Sequence, residues 1–238
     1  MGTFFEELDY QKTAMGELIL RRRRSLSLSD GLVYEVKLND EMLMSSSVNA
    51  SERALSRMVF EAWGDRPCDV LVGGLGLGYT AAEALCFDNV RSLVVIEMLA
   101  PVIEWHRRRL VPAAAGLMED PRCSLVEGDF FEYVRRGSTG CDRRFDIILL
   151  DIDHSPESWL QERHGDFYSR QGLSSLSARM QPGGLFGLWS ASRPEADFLG
   201  ILEGAFESAR THEVTFFNPH IGEMDSNWII IAGCAGST

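Results

Sequence analysis

The sequence has few of the features that mark secreted, membrane-spanning or metal-binding proteins. Its five cysteines are scattered, odd in number and free of Cys-x-x-Cys pairs, which argues against a disulfide framework and a zinc site. No apolar run approaches the ~20 residues that a transmembrane helix needs, and the acidic first nine residues lack the apolar core of a signal peptide. We therefore expect a cytoplasmic protein with no membrane partner.

Positive charge is also scarce. The 238 residues include 23 Lys and Arg against 35 Asp and Glu, which gives a net charge of −12. Such a surface repels phosphate backbones, so we expect no nucleic-acid partner. The run Arg21 to Arg24 opposes this trend, and we interpret it as a solvated strand or turn face.

The chain shows no internal repeat and no low-complexity linker, and its pattern of predicted strands and helices changes near residue 60. Short β-like runs lie between residues 17 and 38, with a turn at Ser29-Asp30-Gly31, and a helical pattern follows at 51–63. This pattern predicts a small N-terminal β-hairpin module with a following helix over residues 1–60.

Strands alternate with helices over residues 61–238, which predicts a doubly wound, mostly parallel sheet. The last two strands, at 214–217 and 228–232, lie too close for a crossover helix and should pair antiparallel at one edge. The predicted fold class is α/β, a Rossmann-like methyltransferase fold with a seven-stranded sheet and an antiparallel edge strand.

The first candidate site is Gly73-Gly74-Leu75-Gly76-Leu77-Gly78, which follows a strand and opens a helix. Gly74, Gly76 and Gly78 permit a tight turn and the close approach of a ligand. Their Gly-x-Gly-x-Gly spacing differs from the Gly-x-Gly-x-x-Gly of dinucleotide-binding folds, so it favours an adenosyl-sulfonium cofactor over NAD. The alternative is a tight turn that binds nothing.

Two further sites follow the next two predicted strands. Glu97 ends the second strand, where a carboxylate can accept hydrogen bonds from ribose hydroxyls. Gly128-Asp129 ends the third, where the carboxylate can accept from the exocyclic amine of adenine, cap the following helix, or do both. The alternative for Glu97 is an exposed carboxylate at a strand end.

The fourth site is the loop that begins with Asp151, Asp153 and His154, directly after the most apolar strand. Ligands bind at this carboxyl edge in open α/β sheets. Any of the three can deprotonate an incoming amine or hydroxyl, so all three are candidate catalytic residues. A metal site would need more ligands than these and His164 provide, so no metal is expected.

The order of these signals over residues 10–232 resembles the spermidine synthase (polyamine aminopropyltransferase) family. The matching segments are Tyr10-Gln11, Asp30-Gly31, Asp40-Glu41, the glycine loop, Glu97, Asp120-Pro121-Arg122, Gly128-Asp129, Glu132-Tyr133, Phe145-Asp146, Asp151 and Gln181-Pro182-Gly183-Gly184. The resemblance implies a homodimer, with Gln11, Glu97 and Asp129 on the cofactor side. It also implies that Asp151 takes a proton from the attacking amine.

The sequence departs from the pattern of that family at three places. Gly76 stands where the family has an aspartate that anchors the amino group of decarboxylated S-adenosylmethionine. Met44 and Ser45 stand where the family has a Tyr-His pair beside the diamine. The loop after Asp151 is one residue longer, so the second family aspartate corresponds to Asp153, to His154 or to neither.

These departures bear on the reaction. A glycine loop with free N–H groups and no aspartate suits the carboxylate of intact S-adenosylmethionine, so methyl transfer to a small-molecule acceptor, expected to be an amine, is slightly favoured. Transfer of an aminopropyl group from decarboxylated S-adenosylmethionine is the alternative. A non-catalytic adenosyl-binding module and an NAD-linked oxidoreductase also remain open.

Overall fold

The computed structural model describes residues 5–24, 31–136 and 143–236, so the turn predicted at Ser29-Asp30 lies outside the described residues. A four-stranded antiparallel sheet comes first. Its strands are β1 (Phe5–Thr13), β2 (Gly16–Arg24), β3 (Leu32–Leu38) and β4 (Glu41–Ser45), in that spatial order. The N-terminal module is predicted as a hairpin, and in the structure it is a four-stranded sheet, because β1 and β4 flank that hairpin.

The arginine run lies on β2 and is largely ion-paired. Arg21 and Arg23 each donate to a different carboxylate oxygen of Glu35 at 2.7 Å, and Glu35 is only 1% exposed. Arg22 pairs with Glu6 on the neighbouring strand at 2.6 Å. The run therefore joins three strands of the sheet, where the sequence predicted a solvated face.

The second sheet has seven strands, connected by helices. Its elements after the N-terminal sheet are α1 (Ala50–Trp63), β5 (Cys68–Gly73), α2 (Tyr79–Ala84), β6 (Val90–Glu97), α3 (Ala100–Arg107), α4 (Ala114–Glu119), β7 (Cys123–Glu127), α5 (Phe130–Arg136), β8 (Phe145–Leu150), a 3₁₀ helix (Glu162–Tyr168), α6 (Arg170–Ser177), β9 (Met180–Ser190), α7 (Ala196–Ala205), β10 (Ser208–Asn218) and β11 (Glu223–Gly233).

The strand order is β10-β11-β9-β8-β5-β6-β7, and the strands from β9 to β7 run parallel. Strand β11 runs antiparallel to both of its neighbours, so the antiparallel strand lies between β9 and the edge strand β10. The predicted α/β class and antiparallel ending are confirmed. Strand β8 is buried on both faces, since the side chains of Ile147, Ile148, Leu149 and Leu150 are inaccessible to solvent.

Helix α1 packs on the seven-stranded sheet. A Cβ atom on Gly187 of β9 would lie 2.6 Å from Val59 and 3.0 Å from Leu55, so only glycine permits this close approach. The helix thereby places its first turn beside the carboxyl ends of the parallel strands. The boundary at residue 60 remains a prediction, although the helix before it packs on the larger sheet.

Candidate functional site

A cavity of about 170 Å³ lies where β5, β6, β7 and β8 end. Its wall includes residues of all four candidate sites and also Met15, Leu43, Met44 and Ser45 from the N-terminal sheet. The cavity therefore lies between the two sheets, at the edge where ligands bind in open α/β folds.

The three glycines of the loop have different roles. All three have positive φ angles, 91° at Gly74, 50° at Gly76 and 90° at Gly78. A Cβ atom on Gly74 would lie 2.2 Å from the carbonyl oxygen of Asp151, and one on Gly78 would lie 2.7 Å from the His106 ring. These two glycines permit close packing, whereas Gly76 faces the cavity, where its Cβ would lie 3.2 Å from Met44 Sδ.

Three N–H groups of the glycine loop already have partners within the protein. Gly74 N donates to Ile96 O at 2.9 Å, and Gly78 N donates to Leu75 O at 2.8 Å. Leu75 N donates to Glu97 Oε2 at 2.9 Å. Helix α2, which follows the loop, has only six residues and supplies no long dipole. The expectation that free loop N–H groups would receive a methionine carboxylate is therefore not supported.

Glu97 lies at the end of β6 and connects two backbone segments. Its second oxygen accepts from Leu99 N at 2.8 Å. Burial raises the pKa of Glu97, and the N–H groups of Leu99, Leu75 and Gly76 oppose that rise. The carboxylate lines the cavity and keeps unused lone pairs, so it can hold the loop and still accept from a ligand hydroxyl.

Asp129 caps helix α5 at the adjoining strand end. Its Oδ1 accepts from Phe131 N at 2.9 Å and from Glu132 N at 3.2 Å. Its Oδ2 pairs with Arg163 at 3.0 Å. Gly128 and Asp129 both line the cavity, so the adenine role predicted for Asp129 stays a prediction beside the cap that the structure displays.

Asp151 lies at the floor of the cavity. Its Oδ2 accepts from the hydroxyl of Thr80, the second residue of α2, at 2.6 Å. Its backbone N donates to Gly73 O at 2.9 Å, which fixes this loop against the glycine loop. Burial raises the pKa of Asp151, and the Thr80 hydroxyl opposes that rise.

Asp153 and His154, the other two candidate catalytic residues, are held differently. Asp153 is 3% exposed, and its two oxygens accept from His164 Nδ1 at 2.8 Å, Leu160 N at 2.8 Å and Tyr168 OH at 3.0 Å. These bonds tie together the segment that contains the 3₁₀ helix. His154 is half-buried and lines both the cavity and an open groove beside it, so of the two it has the freer side chain.

Gln11 lies outside the cavity. It is exposed on β1, donates to Asp9 Oδ1 at 3.1 Å, and does not belong to the cavity wall in the described parts of the chain. From the same β1–β2 hairpin it is Met15 that reaches the wall. The cofactor contact predicted for Gln11 stays a prediction, with the residue placed outside the cavity wall.

Sequence reasoning missed Glu52, which lies in the first turn of α1 and lines the cavity with Asp151. Burial raises the pKa of Glu52 to about 7, and the negative charge of Asp151 acts in the same direction. An acid in the first turn of a helix is ordinary in sequence. Only the packing of α1 on β9 brings it to this cavity, so no local signal could have identified it.

Over residues 5–24, 31–136 and 143–236, no three His, Cys, Asp or Glu side chains are grouped so that they could hold a metal ion. None of the helices in these ranges is both long and apolar enough to cross a membrane.

Comparison with known proteins decides the family. The model of the spermine/spermidine synthase domain matches residues 39–196, about two thirds of the chain. The chain belongs to this family. The family resemblance inferred from the glycine loop, Glu97 and Asp151 is therefore confirmed.

The relatives carry aminopropyltransferase names. Polyamine aminopropyltransferase 2 of Pseudomonas aeruginosa is 28% identical over 161 residues, which are 63% of this chain and 43% of that protein. The polyamine aminopropyltransferase of Corynebacterium efficiens is 29% identical over 189 residues, 79% of this chain and 33% of that protein. The chain thus spans less than half the length of these two relatives. These names do not support the preference for methyl transfer.

A solved structure supports the fold. A spermidine synthase in complex with the transition state analogue AdoDATO superposes with a TM-score of 0.72 at 20% identity, covering 97% of this chain and 74% of that one. The predicted methyltransferase-like architecture with an N-terminal β module is therefore that of the spermidine synthases.

Proposed function

We propose that this chain transfers an aminopropyl group from decarboxylated S-adenosylmethionine to an amine acceptor. The proposal rests mainly on Asp151, whose carboxylate lies at the cavity floor against the glycine loop. No Lys or Arg of the described chain lines this cavity, so a cationic amine meets an uncompensated negative charge there. The family relationship to polyamine aminopropyltransferases supports the same reaction.

The residues present suit a donor without a carboxylate. The loop N–H groups of Gly74, Leu75 and Gly78 are already bonded within the protein. A methionine carboxylate would therefore find these three donors already used and would be repelled by Asp151. An ammonium-bearing donor would instead be attracted, while Glu97 accepts from its ribose hydroxyls and Asp129 lies at the adenine end.

The chemistry is an in-line displacement at the carbon next to the sulfonium. Asp151 attracts the acceptor amine and takes the proton that it loses as the C–N bond forms and the C–S bond breaks, which leaves methylthioadenosine. The cavity walls hold the amine and the carbon in line, and such positioning accounts for much of the rate in displacement reactions. His154 is the second candidate for the proton acceptor, because its half-buried imidazole also lines the cavity.

The test compares the two donors. The protein is incubated with decarboxylated S-adenosylmethionine or with S-adenosylmethionine and a panel of amines, and the nucleoside products are separated by mass spectrometry. We expect methylthioadenosine from the decarboxylated donor and little product from intact S-adenosylmethionine. Formation of S-adenosylhomocysteine would establish methyl transfer instead, and binding of adenosyl ligands with no product from any amine would favour a non-catalytic module.

A further inference from the structure

Glu52 and Asp151 approach one cavity from opposite parts of the chain. Glu52 comes from the first turn of α1 and Asp151 from the end of β8. Thr80 lies between them, since its hydroxyl donates to Asp151 Oδ2 at 2.6 Å and lies 3.4 Å from the carbonyl oxygen of Glu52. Both residues therefore contact Thr80 at the start of α2, and both line the cavity.

The side chain of Glu52 lies against Ser51, which in turn contacts Trp189. The hydroxyl oxygen of Ser51 lies 2.9 Å from Glu52 Oε2 and 2.8 Å from Asn227 Oδ1, and its single proton is available to one of these two acceptors. The same oxygen accepts from Trp189 Nε1 at 2.9 Å. Ser51 is 1% exposed, and Trp189 itself lines the cavity. Glu52 and Trp189 therefore line the cavity together, and Ser51 lies within hydrogen-bond distance of both side chains.

No Lys or Arg of the described residues forms an ion pair with Glu52 or Asp151, although the charge of Arg53 lowers the pKa of Glu52. Arg53, the basic residue next to Glu52, pairs with Glu83 at 2.9 Å and lies over the ring of Tyr79 at 5.0 Å from its centroid. The cavity wall in the described residues contains neither Lys nor Arg. Two carboxylates confined in one cavity repel each other unless a cation or a proton lies between them.

We propose that Glu52 and Asp151 together bind an alkylammonium group, and that Glu52 thereby selects cationic substrates for the reaction. The inference rests on the proposed function, in which the donor and the acceptor each carry an ammonium group. Glu52 is a specificity-determining residue that contacts the cation, whereas Asp151 also takes the proton. The affinity of a ligand that has the adenosyl part but no ammonium group should not depend on Glu52.

The experiment measures binding by calorimetry with three probes. Decarboxylated S-adenosylmethionine carries the donor ammonium, putrescine carries the acceptor ammonium, and methylthioadenosine has none. The variant Glu52→Gln keeps the shape and removes the charge, and Glu61→Gln is the matched control because Glu61 is exposed on the same helix. Glu52→Asp keeps the charge on a shorter side chain.

We expect Glu52→Gln to lower the affinity of the protein for decarboxylated S-adenosylmethionine or for putrescine about tenfold or more, because one partner of a desolvated ionic contact is lost. The probe whose affinity falls identifies whether the pair binds the ammonium group of the donor or that of the acceptor. Methylthioadenosine should bind the variant as it binds the unaltered protein. Glu61→Gln should bind all three probes normally, and Glu52→Asp should bind the cationic probe better than Glu52→Gln does.

Unchanged affinity of Glu52→Gln for both cationic probes would overturn the inference. A loss of affinity for methylthioadenosine as large as the loss for the cationic probes would also overturn it. Failure of the unaltered protein to bind methylthioadenosine would instead refute the proposed function. In that case n-butylamine, an alkylammonium probe with no second charge, decides alone: a rise in melting temperature that Glu52→Gln loses supports the ammonium site, and no rise in the unaltered protein overturns it.

Discussion

At the scale of single residues, Asp129 and Asp153 bind groups of the protein, whereas Asp151 is available to a substrate. Asp153 accepts three hydrogen bonds from within the protein, and Asp129 caps a helix and pairs with Arg163. The carboxylate of Asp151 accepts a hydrogen bond from the hydroxyl of Thr80 and lies at the cavity floor. Asp151 is therefore the best candidate for the catalytic base, because its carboxylate has fewer hydrogen-bond and ion-pair partners within the protein than those of Asp129 and Asp153.

The substitution Asp151→Asn tests this assignment. It keeps the shape and removes the base, so we expect turnover to fall about 10²-fold or more, the usual scale for general base catalysis. Binding of methylthioadenosine, which needs no proton transfer, should change little. The readouts are steady-state kinetics and calorimetry on the same preparation.

His154→Asn provides the comparison for Asp151→Asn. If Asp151 is the base, His154→Asn keeps most of its activity and an unchanged pH–rate profile. Loss of the acid limb near neutrality in His154→Asn, with Asp151→Asn still active, would move the assignment three residues along the loop.

Glu52 gives a second prediction, on stability and pH. Its pKa is raised from 4.5 to about 7 in the folded protein by burial and by Asp151, while Arg53 acts in the opposite direction. Between these two values the folded chain binds more protons than the unfolded chain, so this group's contribution to stability falls as pH rises. Ligand-free Glu52→Gln should therefore melt at a higher temperature than the unaltered protein at pH 8.

The two proteins should melt alike at pH 5, where Glu52 is protonated and resembles glutamine. Thermal melts followed by circular dichroism between these pH values provide the measurement. A Glu52→Gln protein that is less stable at pH 8 than the unaltered chain would show that the fold stabilises the charged carboxylate, contrary to this expectation.

At the scale of elements, the glycine loop joins three functions in six residues. It turns the chain from β5 into α2, it packs against the Asp151 loop, and it forms part of the cavity wall. The sequence predicted the turn and the ligand contact together. The structure shows that Gly74 and Gly78 serve packing and that Gly76 faces the cavity.

Alanine substitutions separate these functions. In Gly74→Ala the new Cβ meets the backbone oxygen of Asp151 at 2.2 Å, and backbone cannot easily move. In Gly76→Ala it meets the flexible end of Met44 at 3.2 Å, so the main cost is the left-handed backbone, about 1 kcal/mol. Denaturant titrations should show that Gly74→Ala lowers the free energy of unfolding several times more than Gly76→Ala. Equal losses would contradict the assignment of Gly74 to packing.

At the scale of the whole molecule, both sheets contribute to one cavity. Met15, Leu43 and Met44 bring apolar side chains from the N-terminal sheet to the acidic floor formed by the larger sheet. An acceptor therefore meets carboxylates at one end and an apolar surface at the other. The homodimer implied by the family resemblance remains a prediction.

This arrangement predicts poor use of putrescine. Its second ammonium group would lie near an apolar wall, where an unpaired charge is costly, and the Tyr-His pair of the family is replaced in this chain by Met44 and Ser45. We expect spermidine formation from putrescine to be at least about tenfold slower than the reaction with the best amine of the panel. Efficient spermidine formation would contradict this expectation and would assign the common activity of the family to this chain.

The amino-acid sequence by itself determined the class of fold, the strand that ends at Asp151, the glycine loop and the strand ends at Glu97 and Asp129. These features depend on local periodicity and turn chemistry, which act over a few residues. The apolar periodicity over residues 195–209 predicts one helix across that range, yet α7 ends at Ala205 because residues 208–218 pair with β11 instead, which shows the limit of local rules.

The tertiary structure alone decided which side chains meet. It placed Glu52 beside Asp151, tied Asp153 to His164 and Tyr168, and left Gln11 exposed on β1. It also engaged the N–H groups of Gly74, Leu75 and Gly78 with Glu97 and neighbouring carbonyl groups, which weakened the reason for favouring a methionine carboxylate. Such proximities follow from the path of the chain and the packing of α1 on β9, and no short stretch of sequence encodes them.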